Sequence, residues 1–355
     1  MNIKTNDMTH LNKEFNFGQI VKDILKEIPN ERSRDILIRR FGLGKRLQHE
    51  TLESVGRSYN ITRERVRQIE NSALNMARKS KAYKKYAKAF KKLAEFIESM
   101  GDVVSQNEIL NSMAKTEKQH NQLLFLLAVG DYFKYNKESK DFIQFWYLDD
   151  NKAKAVKDAL KKLHEDLDKN SALSEDEIVE LFKSALSDEK VLPKSKEERN
   201  VIMRWLSTYK KLTKNPLGEW GRVDSPHMRV KGLRDHAYLA LKAHGSPLHY
   251  TEVADKIREM FGKDAHPATT HNELIKDDRF VLVGRGIYAL REWGYTPGMV
   301  KDVIKDVLEK SGPLSKDEIV EKVKRERHVK DSTIKVNLQD KSLFKRLDDG
   351  RFTLV

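Results

Sequence analysis

Residues 51–79 read TLESVGRSYNITRERVRQIENSALNMARK, and this stretch decides how the chain is read. Its spacing predicts two helices joined by a tight turn. Thr51 is placed to cap a short helix over Leu52 to Tyr59, with Glu53 and Ser54 in its first turn. Asn60-Ile61-Thr62 supplies the turn, because Asn tolerates a left-handed backbone and Thr62 can cap the next helix. That second helix starts at Arg63 with no Gly or Pro to stop it. Val66, Ile69, Ala73 and Ala77 recur at three- and four-residue spacing and share an inward face. Arg63, Glu64, Arg67, Gln68 and Asn71 fall on the opposite face.

An ordinary charged helix also shows a polar outward face. This one combines a guanidinium that can fork onto guanine, a carboxylate that can accept from cytosine and an amide that can pair with adenine. They stand at the N-terminal end of the second helix of a helix-turn-helix, where base contacts are made.

The stretch resembles region four of the housekeeping, sigma-70 family sigma factors of bacterial RNA polymerase. The resemblance runs from about Phe17 to Arg78. It takes in FGQIVKDILKEIPNERSRDILIRRFGLG, with RRFGL at Arg39 to Leu43, then TLESVG and ITRERVRQIE; the loop Lys45 to Glu50 departs from the family pattern. The resemblance implies a module that binds a promoter's minus-35 element. Arg63, Glu64, Arg67 and Gln68 would read bases there, while Arg32, Arg40, Thr51, Arg57 and Arg65 would hold phosphates. It also implies docking on the flap of the polymerase beta subunit.

The chain has 355 residues, 39% hydrophobic and 34% charged, with a net charge of +14 and no Cys. That length allows several domains. A basic balance of this size favours a polyanionic partner. Without Cys, disulfides, zinc ribbons and thiol catalysis are excluded. No apolar run is long enough to span a membrane, and the polar start MNIKTNDMTHLNKEF is unlike a signal peptide, so a cytoplasmic protein with no membrane partner is expected.

In chain order, residues 1–16 are read as a disordered tail, 17–79 as the sigma-like module and 80–101 as a basic connector helix. Tyr83, Tyr86, Phe90, Leu93 and Ile97 make an apolar stripe on that connector, and lysines cover the rest. Lys84 and Lys88 are further phosphate candidates; a merely solvated lysine face is the competing reading. After Gly101 one plan recurs four times, over 102–150, 151–226, 230–296 and 297–355. Each copy has three helices and a closing hairpin, the winged-helix plan. The second helices begin at SQNEIL, SEDEIV, HYTEVA and SKDEIV; three have the Ser-x-x-Glu of a capping box, and at His249 the cap falls to Thr251. The expected fold class is therefore mainly α: a helix-turn-helix module followed by tandem winged-helix domains.

GLRDHAYLALKAHGSPLHYTEVADKI with DRFVLVGRGIYALREWGY, about Gly232 to Tyr295, resembles the HARE-type winged helix. That module occurs in the delta subunit of bacterial RNA polymerase and in chromatin- and restriction-linked proteins. Leu241, Val253, Ile257, Phe280, Val283 and Tyr288 read as its core. Thr269, Thr270, His271, Asn272 and Lys276 lie on its third helix, facing DNA or a polymerase surface.

No phosphate-binding Gly loop, no GxSxG elbow and no matched set of metal ligands is found, so no catalytic residue, metal, cofactor or small-molecule substrate is expected. The sequence reads as a transcription factor related to sigma factors that recognises a minus-35-like element and contacts RNA polymerase. A delta-like, polymerase-associated protein without its own sequence-specific binding is the alternative. A specificity component of a restriction system is the third reading.

Overall fold

A computed structural model describes residues 16–169, 171–192, 197–225, 227–295, 300–326 and 329–355. The tail expected at residues 1–16 lies outside these, apart from Asn16. Among the described residues the chain forms seventeen α-helices and ten short strands, in small sheets of two or three strands. It divides into two compact units, Met1–Thr213 with Trp220–Asp224, and Lys214–Glu219 with Ser225–Val355.

The first unit opens with α1 (Phe17–Lys26), whose N-terminus is capped by the Asn16 side chain accepting from Gln19 N, and α2 (Glu31–Arg40), capped the same way by Asn30. Then come α3 (Leu52–Tyr59) and α4 (Arg63–Lys79). The single connector helix expected over 80–101 is two helices, α5 (Lys81–Lys85) and α6 (Ala87–Ser99). The break at Tyr86 has physical causes. Ser80 starts a new helix by capping Tyr83 N, and Tyr86 leaves helical geometry while its hydroxyl donates to Asp23 Oδ2 at 2.7 Å. Tyr83 and Phe90 stack at 4.6 Å, and Phe90, Leu93 and Ile97 are buried, so the aromatic stripe is core.

The helix α6 is followed by β1 (Val104–Ser105), α7 (Gln106–Met113), α8 (Glu117–Val129), β2 (Lys134–Asn136) and β3 (Phe145–Tyr147), with β3 between β1 and β2. The order helix, strand, helix, helix, hairpin thus begins at α6, ahead of the boundary drawn at residue 102. The same order returns in α9 (Asp150–Asp166), α10 (Glu175–Ala185), α11 (Glu198–Leu206), β4 (Leu212–Lys214) and β5 (Trp220–Arg222). There a single bridge, Leu173 to Trp220, stands in for the first strand.

One core joins α1, α2, α4, α5, α6, α7 and α8, from Phe17 through Ile24, Leu37, Ala77, Phe90, Ile97 and Leu123 to Trp146. A second joins Val103, Phe142 and Phe145 to α9, α10 and α11 around Phe182 and Trp205. Each fully buried aliphatic or aromatic side chain stabilises by about 1.5–3 kcal/mol. The sigma-like helices, the connector and the first winged helix are therefore held as one body by shared apolar contacts.

The second unit holds α12 (Leu233–His244), β6 (Leu248–His249), α13 (Tyr250–Phe261), α14 (Pro267–Lys276), β7 (Phe280–Gly284) and β8 (Ile287–Leu290). Leu241, Val253, Ile257, Phe280 and Tyr288 share its core, whereas Val283 packs with Val281 and Ala289 in a separate cluster under Trp293 and Tyr295. The helix α13 is capped by His249 rather than Thr251: Glu252 Oε2 accepts from His249 N at 2.8 Å, and Thr251 Oγ1 lies 2.7 Å from His249 Nδ1. The plan closes with α15 (Val300–Ser311), α16 (Lys316–Glu326), α17 (Asp331–Asn337), β9 (Phe344–Arg346) and β10 (Phe352–Leu354), again with one bridge, Leu314 to Phe352.

Candidate nucleic-acid interface

The α3–α4 pair is built by local chemistry. Thr51 Oγ1 accepts from Ser54 N at 3.1 Å, and Thr62 Oγ1 accepts from Arg65 N at 3.2 Å. Asn60 takes the left-handed backbone, φ 53° and ψ 46°, that ends α3. The turn closes with Ile61 N donating to Gly56 O at 3.0 Å. A Cβ at Gly56 would lie 2.7 Å from the Ile61 carbonyl, so glycine is what lets the turn fold back onto α3. Ile36, Val55 and Val66, with Leu52, Tyr59, Ile61 and Ile69, form a small separate core that clamps α3 and α4 onto α2.

That clamp leaves Arg63, Glu64, Arg65, Arg67, Gln68 and Asn71 exposed on the first turns of α4. Arg67 forks onto Glu64, Nε to Oε2 at 2.9 Å and Nη2 to Oε1 at 2.6 Å, and both side chains are about half exposed. The guanidinium holds the Glu64 carboxyl below its ordinary pKa. Arg65 Nη1 donates to Gln68 Oε1 at 3.1 Å. The Arg63 side chain makes no hydrogen bond or ion pair with the described residues.

The phosphate candidates fall into different surroundings. Arg32 is exposed, with its guanidinium 4.8 Å above the Tyr59 ring. Arg57 is exposed and 3.6 Å from Glu53. The Thr51 hydroxyl is engaged as the α3 cap. Arg40 is only partly exposed; its Nε donates to Glu70 Oε2 at 2.9 Å and its Nη1 to the Glu50 carbonyl, so it braces the module from within. Lys84 and Lys88 are exposed but follow the C-terminal end of α4, about 24 Å along that helix from Arg63 at 1.5 Å per residue.

The supporting residues are ones that sequence spacing does not reveal. Arg39 forks onto Glu50, Nε to Oε1 and Nη2 to Oε2 both at 2.7 Å, and Nη1 donates to Ser58 Oγ. With Ser54 Oγ also donating to it, the Glu50 carboxyl is held down to about 2. Tyr59 donates to Asp35 Oδ2 at 2.7 Å, and burial with that carboxylate raises the phenol's pKa. From farther along the chain, the buried Asn121 on α8 donates to the carbonyls of Gly42 and Leu47, and Arg78 donates to the carbonyls of Ala128 and Val129 at the end of α8.

The helix α8 takes the third-helix position of the first winged helix, yet Asn121, Leu123, Phe125, Leu126 and Leu127 are buried, and α1 and α4 pack on it. Phe125 meets Phe41 edge-on at 5.5 Å. That helix is therefore not open to a DNA groove. On α14, Thr270 is fully buried and its hydroxyl donates to the His266 carbonyl, so it is no contact residue; Thr269, Asn272 and Lys276 are exposed and His271 is half-buried.

No helix among the described residues is long and apolar enough to cross a membrane. Residues 30–79 match the family model described as sigma-70, region 4. Residues 232–293 match the HARE-HTH model, the helix-turn-helix domain named for ASXL and restriction endonuclease proteins among others. The first segment is similar to the RNA polymerase sigma factor RpoD of Helicobacter pylori, 43% identical over 58 residues, 16% of this chain and 8% of that protein. It is likewise similar to RpoD of Neisseria gonorrhoeae, 43% identical over 60 residues, 17% of this chain and 9% of that protein. The chain thus spans less than a tenth of the curated relatives it matches. Both matched models are DNA-binding helix-turn-helix types rather than enzyme families, and they associate the chain with DNA and transcription.

Proposed function

We propose that this protein is a sequence-specific, cytoplasmic DNA-binding transcription factor that recognises a minus-35-like promoter element and contacts RNA polymerase to modulate initiation. The observation that carries the proposal is the exposed set Arg63, Glu64, Arg67 and Gln68 on the first turns of a helix whose start is fixed by Thr62 and Gly56. Each side chain has the donor or acceptor pattern of a major-groove reader, and the segment matches sigma region 4. In this reading Arg67 exchanges its fork on Glu64 for a fork on guanine, and the freed Glu64 accepts from a neighbouring cytosine. Arg32, Arg57 and Arg65 hold phosphates around them. Footprinting of the full chain on promoter fragments tests the reading: protection of a short element by the chain alone is expected, extending downstream when core polymerase is added.

The HARE-type match favours a second reading, a polymerase-associated protein that needs no DNA site of its own. It predicts protection only when polymerase is present, and co-purification with polymerase that survives nuclease.

A further inference from the structure

The fourth winged helix lies outside both matched segments and carries a cluster of cations that the reading helix does not use. Lys316 opens α16, Lys335 and Lys341 flank the end of α17, and Lys345 and Arg346 lie on β9. All five line one crevice of roughly 700 Å³, whose floor includes the buried Leu338 and Phe344. None of the described residues lining it carries a carboxylate.

Elsewhere in this winged helix four cations are matched to acids: Lys305 to Glu309, Lys324 to Asp331, Arg325 to Glu321 and Arg351 to Asp349. Among the described residues none of the five crevice cations makes an ion pair. Arg346 uses only Nε, at 3.4 Å from the Gly350 carbonyl. Five like charges around one concavity repel one another and concentrate a positive field there. A polyanion relieves that repulsion and gains further by releasing its own counterions.

The edge geometry narrows the partner. The strand β10 lies between β9 and the Leu314 bridge, so β9 is an edge strand. Its exposed Lys345 and Arg346 are the kind of charged side chains that discourage another strand from pairing. An acidic peptide added as a strand is therefore disfavoured, while phosphates, which need only point charges, are accommodated.

We propose that this crevice grips the phosphate backbone of duplex DNA and adds sequence-independent affinity to the site chosen by α4. The choice of duplex rests on the DNA-reading function proposed above. Once the reading helix is engaged, a second contact on the same chain acts at high local concentration, so weak lysine–phosphate pairs suffice.

The test uses the full chain with Lys341→Ala and Lys345→Ala combined, both at exposed positions, titrated on preferred and scrambled duplexes from low to high salt. Loss of two phosphate contacts should reduce the slope of log K against log salt by about 1.8 and weaken both duplexes by the same factor. An Arg67→Ala chain run alongside separates the two proposals. If it keeps its base preference, the reading helix is misassigned, whereas the lysine-dependent slope stands or falls by itself. An unchanged slope in the lysine variant overturns the crevice assignment, as does a loss confined to binding of polyglutamate.

Discussion

Asn121 on α8 donates its amide to the carbonyl of Gly42, 79 positions earlier, at 2.9 Å, and to that of Leu47 at 2.8 Å. Gly42 sits at φ +60°, and a Cβ there would lie 2.6 Å from Asn121 Nδ2. A winged-helix side chain thus fixes the loop that leads into the reading pair. His49 Nε2, 2.7 Å from Asn121 Oδ1, completes the contact.

Replacing Asn121 by Leu should leave these carbonyls without their donor at a buried position. We expect a loss of about 1–3 kcal/mol per stranded group. Chemical denaturation followed through the near-ultraviolet signal checks it, and Gly42→Ala should destabilise the same body through strain at a positive φ and the close approach of its Cβ to Asn121 Nδ2.

Glu50 gives the pH dependence. Its folded pKa of about 2 lies below the ordinary value of 4.5, chiefly because Arg39 and Ser54 donate to it. Its contribution is therefore fully present above pH 4.5 and is lost as pH falls from there towards 2. The side chain is 31% exposed, so solvent reduces the effect to on the order of 1–2 kcal/mol. Stability measured from neutral pH down to strongly acidic pH should fall less steeply in Glu50→Gln than in the unaltered chain, from a lower starting point.

The shared core predicts where the chain can be cut. A fragment ending at residue 100 strips α8 from α1 and α4 and opens the core that holds Phe17, Ile24 and Ala77. It should lack a cooperative thermal transition, while a fragment ending at residue 225 should melt cooperatively and resist limited proteolysis.

What was legible in the sequence was local. Thr51, Asn60 and Thr62 announce caps and a turn because each acts on backbone within three residues, and Val66 and Ala77 announce a face because periodicity is local too. The plan of the winged helices was readable for the same reason, from capping boxes and turn residues. What was hidden is contact across the chain. Nothing near Arg39 in sequence marks the Glu50 carboxylate as its partner, and nothing near Asn121 points to Gly42. Arg40, a phosphate ligand by the resemblance, is half-buried on Glu70. The stripe on 80–101 was correctly apolar, but its break at Tyr86 depends on Asp23, from another helix.

The most direct test of the account is a titration of Arg67→Ala, Glu64→Ala and the Lys84→Ala, Lys88→Ala pair on preferred and scrambled duplexes. Arg67 can fork onto guanine with a discrimination of about 1–3 kcal/mol, so its loss should weaken the preferred site and flatten preference at one base position. Glu64→Ala should relax preference with little loss of affinity, since it also removes a negative charge near phosphates. The lysine pair, which can meet only phosphate, should weaken all sequences alike or not at all. If Arg67→Ala instead lowers affinity for both duplexes by the same factor, α4 does not read bases, and the polymerase-associated reading replaces this one.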